Sequence, residues 1–283
     1  MQKGIIVNFT PTGMIPTKEQ NSSVPLSPKE IIADVKRAWE IGISMVHLHA
    51  RDENGNPHYK KEFYEEMILG IREFAPELII CVSTSGRIHT RLEQRSEVLF
   101  LDGPAKPDMA SLTLSSLNFN KQASVNEPAM IMALAKIMLE RGIKPELEAF
   151  DSGMINYAKY LITKGLITPP YYFNLIFGNI ACAQATLLSS GLLVSELPPD
   201  AFFAFGGIGN YQLNMNSLAV SMGYGVRVGL EDNIWYDPAR TVKATNSMLL
   251  ERIHHLIEAN QQVLISSSEL RVQLGLRLRG DQK

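Results

Sequence analysis

The segment His47-Leu48-His49-Ala50-Arg51-Asp52 sets two imidazoles two positions apart at the end of a short apolar run, residues 45–50. Residues two apart on a β-strand share a face, so both rings project the same way. Two neutral histidines so placed make half of a metal site; one core histidine with one hydrogen-bonded partner is the plainer alternative. Arg51-Asp52, just past the run, favours a site at the strand's C-terminal end. A distant run, 226–230, leads into Glu231-Asp232, with Arg227, Gly229 and Glu231 on one face. A carboxylate at Glu231 would complete a His2Glu donor set that leaves coordination positions open for substrate. Taken alone, Glu231-Asp232 also reads as a helix N-cap region, and Arg227 as a structural ion-pair partner.

Other polar groups fall where an ordinary core has none. Glu146 and Glu148 share a face of run 145–150. Buried carboxylates must be protonated, paired or metal-bound, and a Glu148–Arg227 pair would satisfy both charges. Ser83-Thr84-Ser85-Gly86 follows run 78–83, and its hydroxyls and backbone N–H groups could hold a carboxylate, though such a loop is more often a plain turn. Ser111 and Thr113 add hydroxyls on one face of run 109–114. Gly206-Gly207-Ile208-Gly209 reads either as a phosphate-binding loop or as a tight turn. The remaining histidines, His58, His89, His254 and His255, read as surface residues. Cys81 reads as a small buried hydrophobe, and Cys182 has no CxxC neighbour and no evident base.

These residues need a frame that brings positions 47 and 231 together. Eight apolar runs bounded by turn signals occur at 4–9, 45–50, 78–83, 109–114, 145–150, 172–177, 202–205 and 226–230. Most lack polar alternation, as strands buried on both faces do. Segments of helical period lie between them. The first begins with Ser27 as N-cap, Pro28 at the first helical position and Glu30 as capping-box partner. Eight βα units in about 240 residues is the arithmetic of a (β/α)8 TIM barrel. A dinucleotide-binding sheet is disfavoured, because Thr10-Pro11-Thr12-Gly13 after the first run lacks G-x-G-x-x-G. The expectation is one α/β domain over residues 1–283, with a C-terminal helical extension from about 266.

Composition narrows the functional class. The 283 residues are 45% hydrophobic, and 27 Lys+Arg nearly balance 29 Asp+Glu. That excludes a disordered chain and argues against a nucleic-acid binder working through a basic surface. The uncharged stretch 165–195 is broken by Pro169-Pro170, Asn174, Asn179 and Gln184, so it reads as a buried strand plus loop and not a membrane span. Two cysteines cannot form a disulfide framework, and the N-terminal run is too short for a signal peptide; the cytoplasm is the expected compartment.

Taken together, H-L-H-A-R-D at 47–52, S-T-S-G at 83–86, K-P-D-M-A-S-L at 106–112, P-E-L-E at 145–148, G-G-I-G at 206–209 and R-V-G-L-E-D-N at 227–233 resemble the β-keto acid cleavage enzymes, over nearly the whole chain. The resemblance implies zinc, or another divalent metal, held by His47, His49 and Glu231. It implies that a β-keto acid and acetyl-CoA give acetoacetate and a new acyl-CoA. Asp232 would be the general base, oriented by Arg227 and Glu148. Ser83 and Ser111 would bind the keto-carboxylate end, with Thr84, Gly86 and Thr113 beside them; Ser111 stands where the family often has Thr. The resemblance also implies a homo-oligomer, a tetramer.

Two departures bear on specificity. Members acting on an amine-bearing substrate carry a Glu shortly after the first-strand Thr-Gly, whereas here Met14-Ile15 follows Thr12-Gly13 and cannot pair a cation. A β-keto acid without that amine, such as one with an apolar tail, is therefore expected to bind against Met14. The segment 178–183 is less glycine-rich than its family counterpart, which touches the CoA contacts. Two other readings share the residues: a metal-dependent aldolase-type enzyme working without CoA, and a non-catalytic barrel that senses a metal or small acid. The base beside the metal set argues against the second.

Overall fold

The computed structural model describes residues 4–279. Its barrel strands are β1 (Val7–Phe9), β2 (Met45–Leu48), β3 (Ile79–Val82), β4 (Met109–Thr113), β5 (Lys144–Ala149), β6 (Tyr171–Phe177), β7 (Ala201–Gly207) and β8 (Gly225–Val228). They close into a parallel barrel in the order β1-β8-β7-β6-β5-β4-β3-β2. Each is followed by a helix: α1 (Pro28–Ile41), α2 (Lys61–Phe74), α3 (Leu92–Ser96), α4 (Pro128–Arg141), α5 (Ser152–Thr163), α6 (Leu187–Glu196), α7 (Tyr211–Ser221) and α8 (Asn246–Ala259). A last helix, α9 (Ser267–Gln273), follows. The eight apolar runs are thus the eight barrel strands.

Local sequence accounts for the boundaries. The Ser27 hydroxyl accepts the Glu30 N–H at 3.3 Å while the Glu30 carboxylate accepts the Ser27 N–H at 3.1 Å, closing the expected capping box. Helix α4 stops at Gly142, whose φ of 61° is left-handed. The uncharged stretch contains more than strand and loop. After β6 it holds α6, opened by Thr186, whose hydroxyl accepts the Ser189 N–H. The leucine-rich α6 leaves Leu187 and Leu188 exposed, and the absence of charge hid its amphipathic pattern. Among the described residues no helix is long and apolar enough to cross a membrane.

The barrel interior is layered. Its floor is apolar: Ile6, Met45, Ile79, Met109, Tyr172 and Ala204 pack against Ile265, Leu270 and Leu274 from around α9. The segment expected as an extension is therefore the plug that closes the N-terminal end. Asp108, at the foot of β4, binds this plug. Its carboxylate accepts from Arg72 at 2.5 Å, Arg271 at 2.7 Å and Arg279 at 3.0 Å.

Burial alone would raise the Asp108 pKa, but the three guanidiniums hold it far below the usual carboxylate range. A depressed folded pKa contributes stability that is complete above the unfolded value of about 3.9 and is lost progressively as pH falls from there through the folded value. Asp108→Asn is expected to cost about 3–5 kcal/mol in urea unfolding at pH 7, with the deficit shrinking below about pH 4. An unchanged midpoint at pH 7 would show that the plug is not held by this cluster.

Candidate active site

Above the floor the interior turns polar. The period of two puts Met45, His47 and His49 on the inner face of β2 and its continuation, and the register sets His47 beside Cys81. His47 Nδ1 lies 2.5 Å from Glu146 Oε2, contributed by β5 across the barrel. That contact directs the Nδ1 proton to the carboxylate and turns His47 Nε2 towards the mouth, where it offers a lone pair once the ring is neutral. His47 Nε2 lies 3.1 Å from His49 Nε2, which lies 3.2 Å from Glu231 Oε1. Donor atoms of His47, His49 and Glu231 all fall within 4.8 Å of one another.

Electrostatics separates the two imidazoles. Burial depresses His47, but the Glu146 and Glu231 carboxylates outweigh it and lift the pKa to about 9. For His49 burial prevails over Glu231, and the pKa falls to about 4. Burial opposes ionisation of Glu146, yet His47, Arg227 and an Asn8 hydrogen bond hold its carboxyl down at about 2. Cys81 is buried, as read from sequence, and its thiol donates to the same Glu146 oxygen at 3.3 Å.

Arg227 occupies the centre of the mouth. Its Nε donates to Asp232 Oδ2 at 2.9 Å and its Nη2 to Glu231 Oε1 at 2.8 Å. Nη1 stands 3.7 Å from Glu148 Oε1, an ion pair too long for a hydrogen bond. Glu148 instead accepts from Thr113 Oγ1 at 2.7 Å, and burial raises its pKa despite Arg227. The expected pairing across the barrel is present, but Glu148 is tied to Arg227 and Thr113, not directly to Asp232. Burial lifts the Asp232 pKa to about 6, with Arg227 pulling it down and Glu231 pushing it up. Glu231 is held well below its usual value: burial opposes this, and Arg227 and His49 overcome it.

These groups line a cavity of about 470 Å³, within the range of small-molecule sites. Of the residues expected around the substrate, Met14, Ser83 and Thr113 line it. Ser111, Thr84 and Gly86 stand behind the wall. Ser111 Oγ accepts the Thr84 N–H at 3.1 Å, and Thr84 Oγ1 donates back to the Ser111 carbonyl at 2.6 Å. A Cβ at Gly86 would meet Arg95 Nη1 at 2.4 Å, so glycine there makes room for the arginine that braces the loop. Ile208 and Gly209 of the glycine cluster and Gly178, Asn179 and Ile180 also border the cavity.

A family model described as beta-keto acid cleavage enzyme matches residues 4–276. The chain belongs to that family. The 3-keto-5-aminohexanoate cleavage enzyme of Acetoanaerobium sticklandii is 34% identical over 273 residues, covering 96% of this chain and 98% of its own. The 3-oxoadipate:acetyl-CoA acetyltransferase of Cupriavidus necator is 33% identical over 279 residues, covering 98% and 96%. Among solved structures, the apo structure of ObcA superposes with a TM-score of 0.78 over 90% of this chain and 66% of the ObcA chain, at 19% identity. That likeness is one of fold.

Within this β-keto acid cleavage enzyme, Glu146 is the site residue that strand reading left without a role. Its spacing marked it as buried and charged, but a cross-barrel distance has no sequence signature. Arg51 also differs from its reading as one of a charged pair. Its guanidinium donates to the carbonyls of Gly13, Gly55 and Pro16, while Asp52 turns outward to accept the Asn54 and Asn56 N–H groups.

Removing Arg227 leaves three largely buried carboxylates around the space it filled. Arg227→Met is expected to cost about 3–5 kcal/mol in denaturant unfolding at pH 7, since the surviving charges are uncompensated. The deficit should shrink towards pH 5 as they take up protons; a pH-independent loss would point to packing instead.

Proposed function

We propose that this enzyme cleaves a β-keto acid with acetyl-CoA as co-substrate, giving acetoacetate and a new acyl-CoA, with zinc held by His47, His49 and Glu231. The observation that supports this reading is the convergence of those donors beside Asp232 in one cavity. The donor set fits the metal. Glu231 Oε2 is buried with no hydrogen-bond partner, and two imidazole Nε2 atoms face each other across 3.1 Å. Glu146 supplies the carboxylate behind a ligating histidine that such sites use. When bound, the metal supplies Lewis-acid stabilisation of the negative charge that develops on a keto oxygen.

The chain's own groups supply the rest. Asp232 takes a proton from the methylene between keto and carboxylate groups; one of its oxygens is fixed by Arg227, and burial brings its basicity towards the working pH. The carbanion attacks the thioester carbonyl, a C–C bond forms and CoA thiolate leaves. Thiolate then attacks the original keto carbon, the bond from that carbon to the former methylene breaks, and acetoacetate departs after receiving the proton. Ser83 and Thr113 border the keto-acid end, and the CoA arm enters past residues 178–180. Met14-Ile15 disfavours an amine-bearing tail, because a cation there would find no carboxylate partner.

Two measurements test the reading. Asp232→Asn is expected to lower acetoacetate release by at least about a hundredfold, the scale of general base catalysis, with metal content unchanged. Release from wild type without acetyl-CoA would favour an aldolase instead, and no product from any β-keto acid would leave a sensor. His47→Ala is expected to purify without stoichiometric zinc by elemental analysis; retained zinc would overturn the ligand set.

A further inference from the structure

The mouth holds a second arginine whose situation is the reverse of Arg227. Arg87 lines the cavity with its guanidinium 3.5 Å above the Phe119 ring, and Phe119 is braced edge-on by Phe150. Among the described residues its guanidinium has neither an ion-pair nor a hydrogen-bond partner; only its backbone N–H is engaged, by Ser85 Oγ at 3.3 Å. A planar fork held against an aromatic face, with its donors unused, is organised to take a bidentate anion.

The loop carrying Arg87 is fixed before any ligand arrives. The Ser85 N–H donates to Ser83 Oγ, and Thr84 is bonded twice to Ser111. Beneath it, buried Arg95 donates to the Thr84 carbonyl and to Asn126 Oδ1, both at 2.8 Å. Stacking and buttressing reduce the freedom a long side chain would otherwise lose on binding.

The cavity also needs such a group. Its wall carries Glu148, Glu231 and Asp232, while the charge of Arg227 is already enclosed by those acids. A keto acid arrives as an anion and meets this acidic wall. Burial lowers the Arg87 pKa while Glu231, Glu148 and Asp232 raise it, so its charge is felt at the reacting end of the cavity. The CoA phosphates lie a whole pantetheine arm from that end, which leaves the keto acid as the anion within reach.

We propose that Arg87, laid flat on Phe119, binds a carboxylate of the β-keto acid and so sets the charge of the substrate this site accepts. The assignment rests on the reading above. Two carboxylates share this chemistry: the one next to the reacting methylene, and a second at the far end of a dicarboxylic substrate.

The test is calorimetric binding of 3-oxohexanoate and 3-oxoadipate to the full chain without acetyl-CoA, beside turnover with it. Arg87→Gln is expected to raise the dissociation constant about ten- to a hundredfold, the scale of a charged hydrogen bond, and to leave the KM for acetyl-CoA unchanged. Arg87→Lys should recover part of the loss. Equal weakening of both acids assigns the reacting-end carboxylate, and weakening of 3-oxoadipate alone assigns the distal one. Unchanged binding of both, a shift confined to acetyl-CoA, or a wild type that binds neither acid overturns the proposal. Acid binding that depends on Arg87, without any acetyl-CoA-dependent product, would instead sink the reaction and leave Arg87 standing.

Discussion

A guanidinium with 2% of its side chain exposed, facing three carboxylates, is the constraint around which the mouth of this barrel is organised. Withdrawing that many charges from water costs several kcal/mol per ion, recovered only when geometry is nearly ideal. Arg227 meets the requirement by spending different nitrogens on different acids. Nε fixes Asp232, Nη2 fixes Glu231, and the residual charge reaches Glu148. Because β8 ends just before Glu231-Asp232, one side chain orients both the proposed metal ligand and the proposed base. The same proximity separates their basicities. Glu231 is driven down by Arg227 and His49, while burial and Glu231 together push Asp232 up.

A polar interior of this kind needs a dry foundation. The apolar floor and the α9 plug supply it, so Asn8, Cys81 and Glu146 sit between a sealed end and the open mouth. Asn8 Nδ2 reaches Glu146 Oε1 at 2.8 Å, and Cys81 reaches the other oxygen. With His47 that makes three contacts to one carboxylate, which keep Glu146 ionised at the depth where it must hold the imidazole. The Asp108 cluster below and the Arg227 cluster above play opposite parts. One ties the chain's last helix to the barrel, and the other concentrates charge where a substrate enters.

What could be read from residue order alone follows this division. The eight strands were legible because each is a short apolar run buried on both faces, and α1 because Ser27, Pro28 and Glu30 signal a helix start in consecutive positions. His47, His49, Arg227 and Glu231 were legible because spacing of two on a strand places polar groups on one face. Helix α6 was hidden: Leu187, Leu188 and Leu192 are all exposed, so no polar face contrasts with a buried one. The pairing of Glu146 with His47 was hidden because its members are 99 residues apart and meet only when the barrel closes. Arg87 carries no sequence signature for the opposite reason. Its partner is a ring on a neighbouring loop, and among the described residues no acid forms an ion pair with its guanidinium.

The loop after β1 joins these strands of argument. A Cβ on Gly13, where φ is +67°, would fall 2.5 Å from Glu231 Cγ, so the backbone before Met14 lies directly against the proposed metal ligand. Arg51, two residues beyond His49, clamps that backbone by donating to Gly13 and Pro16. The loop proposed to meet the substrate's tail is thus wedged between the two strands that carry the proposed donors. Side chains at 14 and 15 can change without disturbing Glu231, whereas the path of the backbone cannot. Specificity in such a site should diverge by substitution on a fixed loop and by the cations on the opposite rim. On the proposed reading, Met14-Ile15 on one side and Arg87 on the other would together select against a cationic tail.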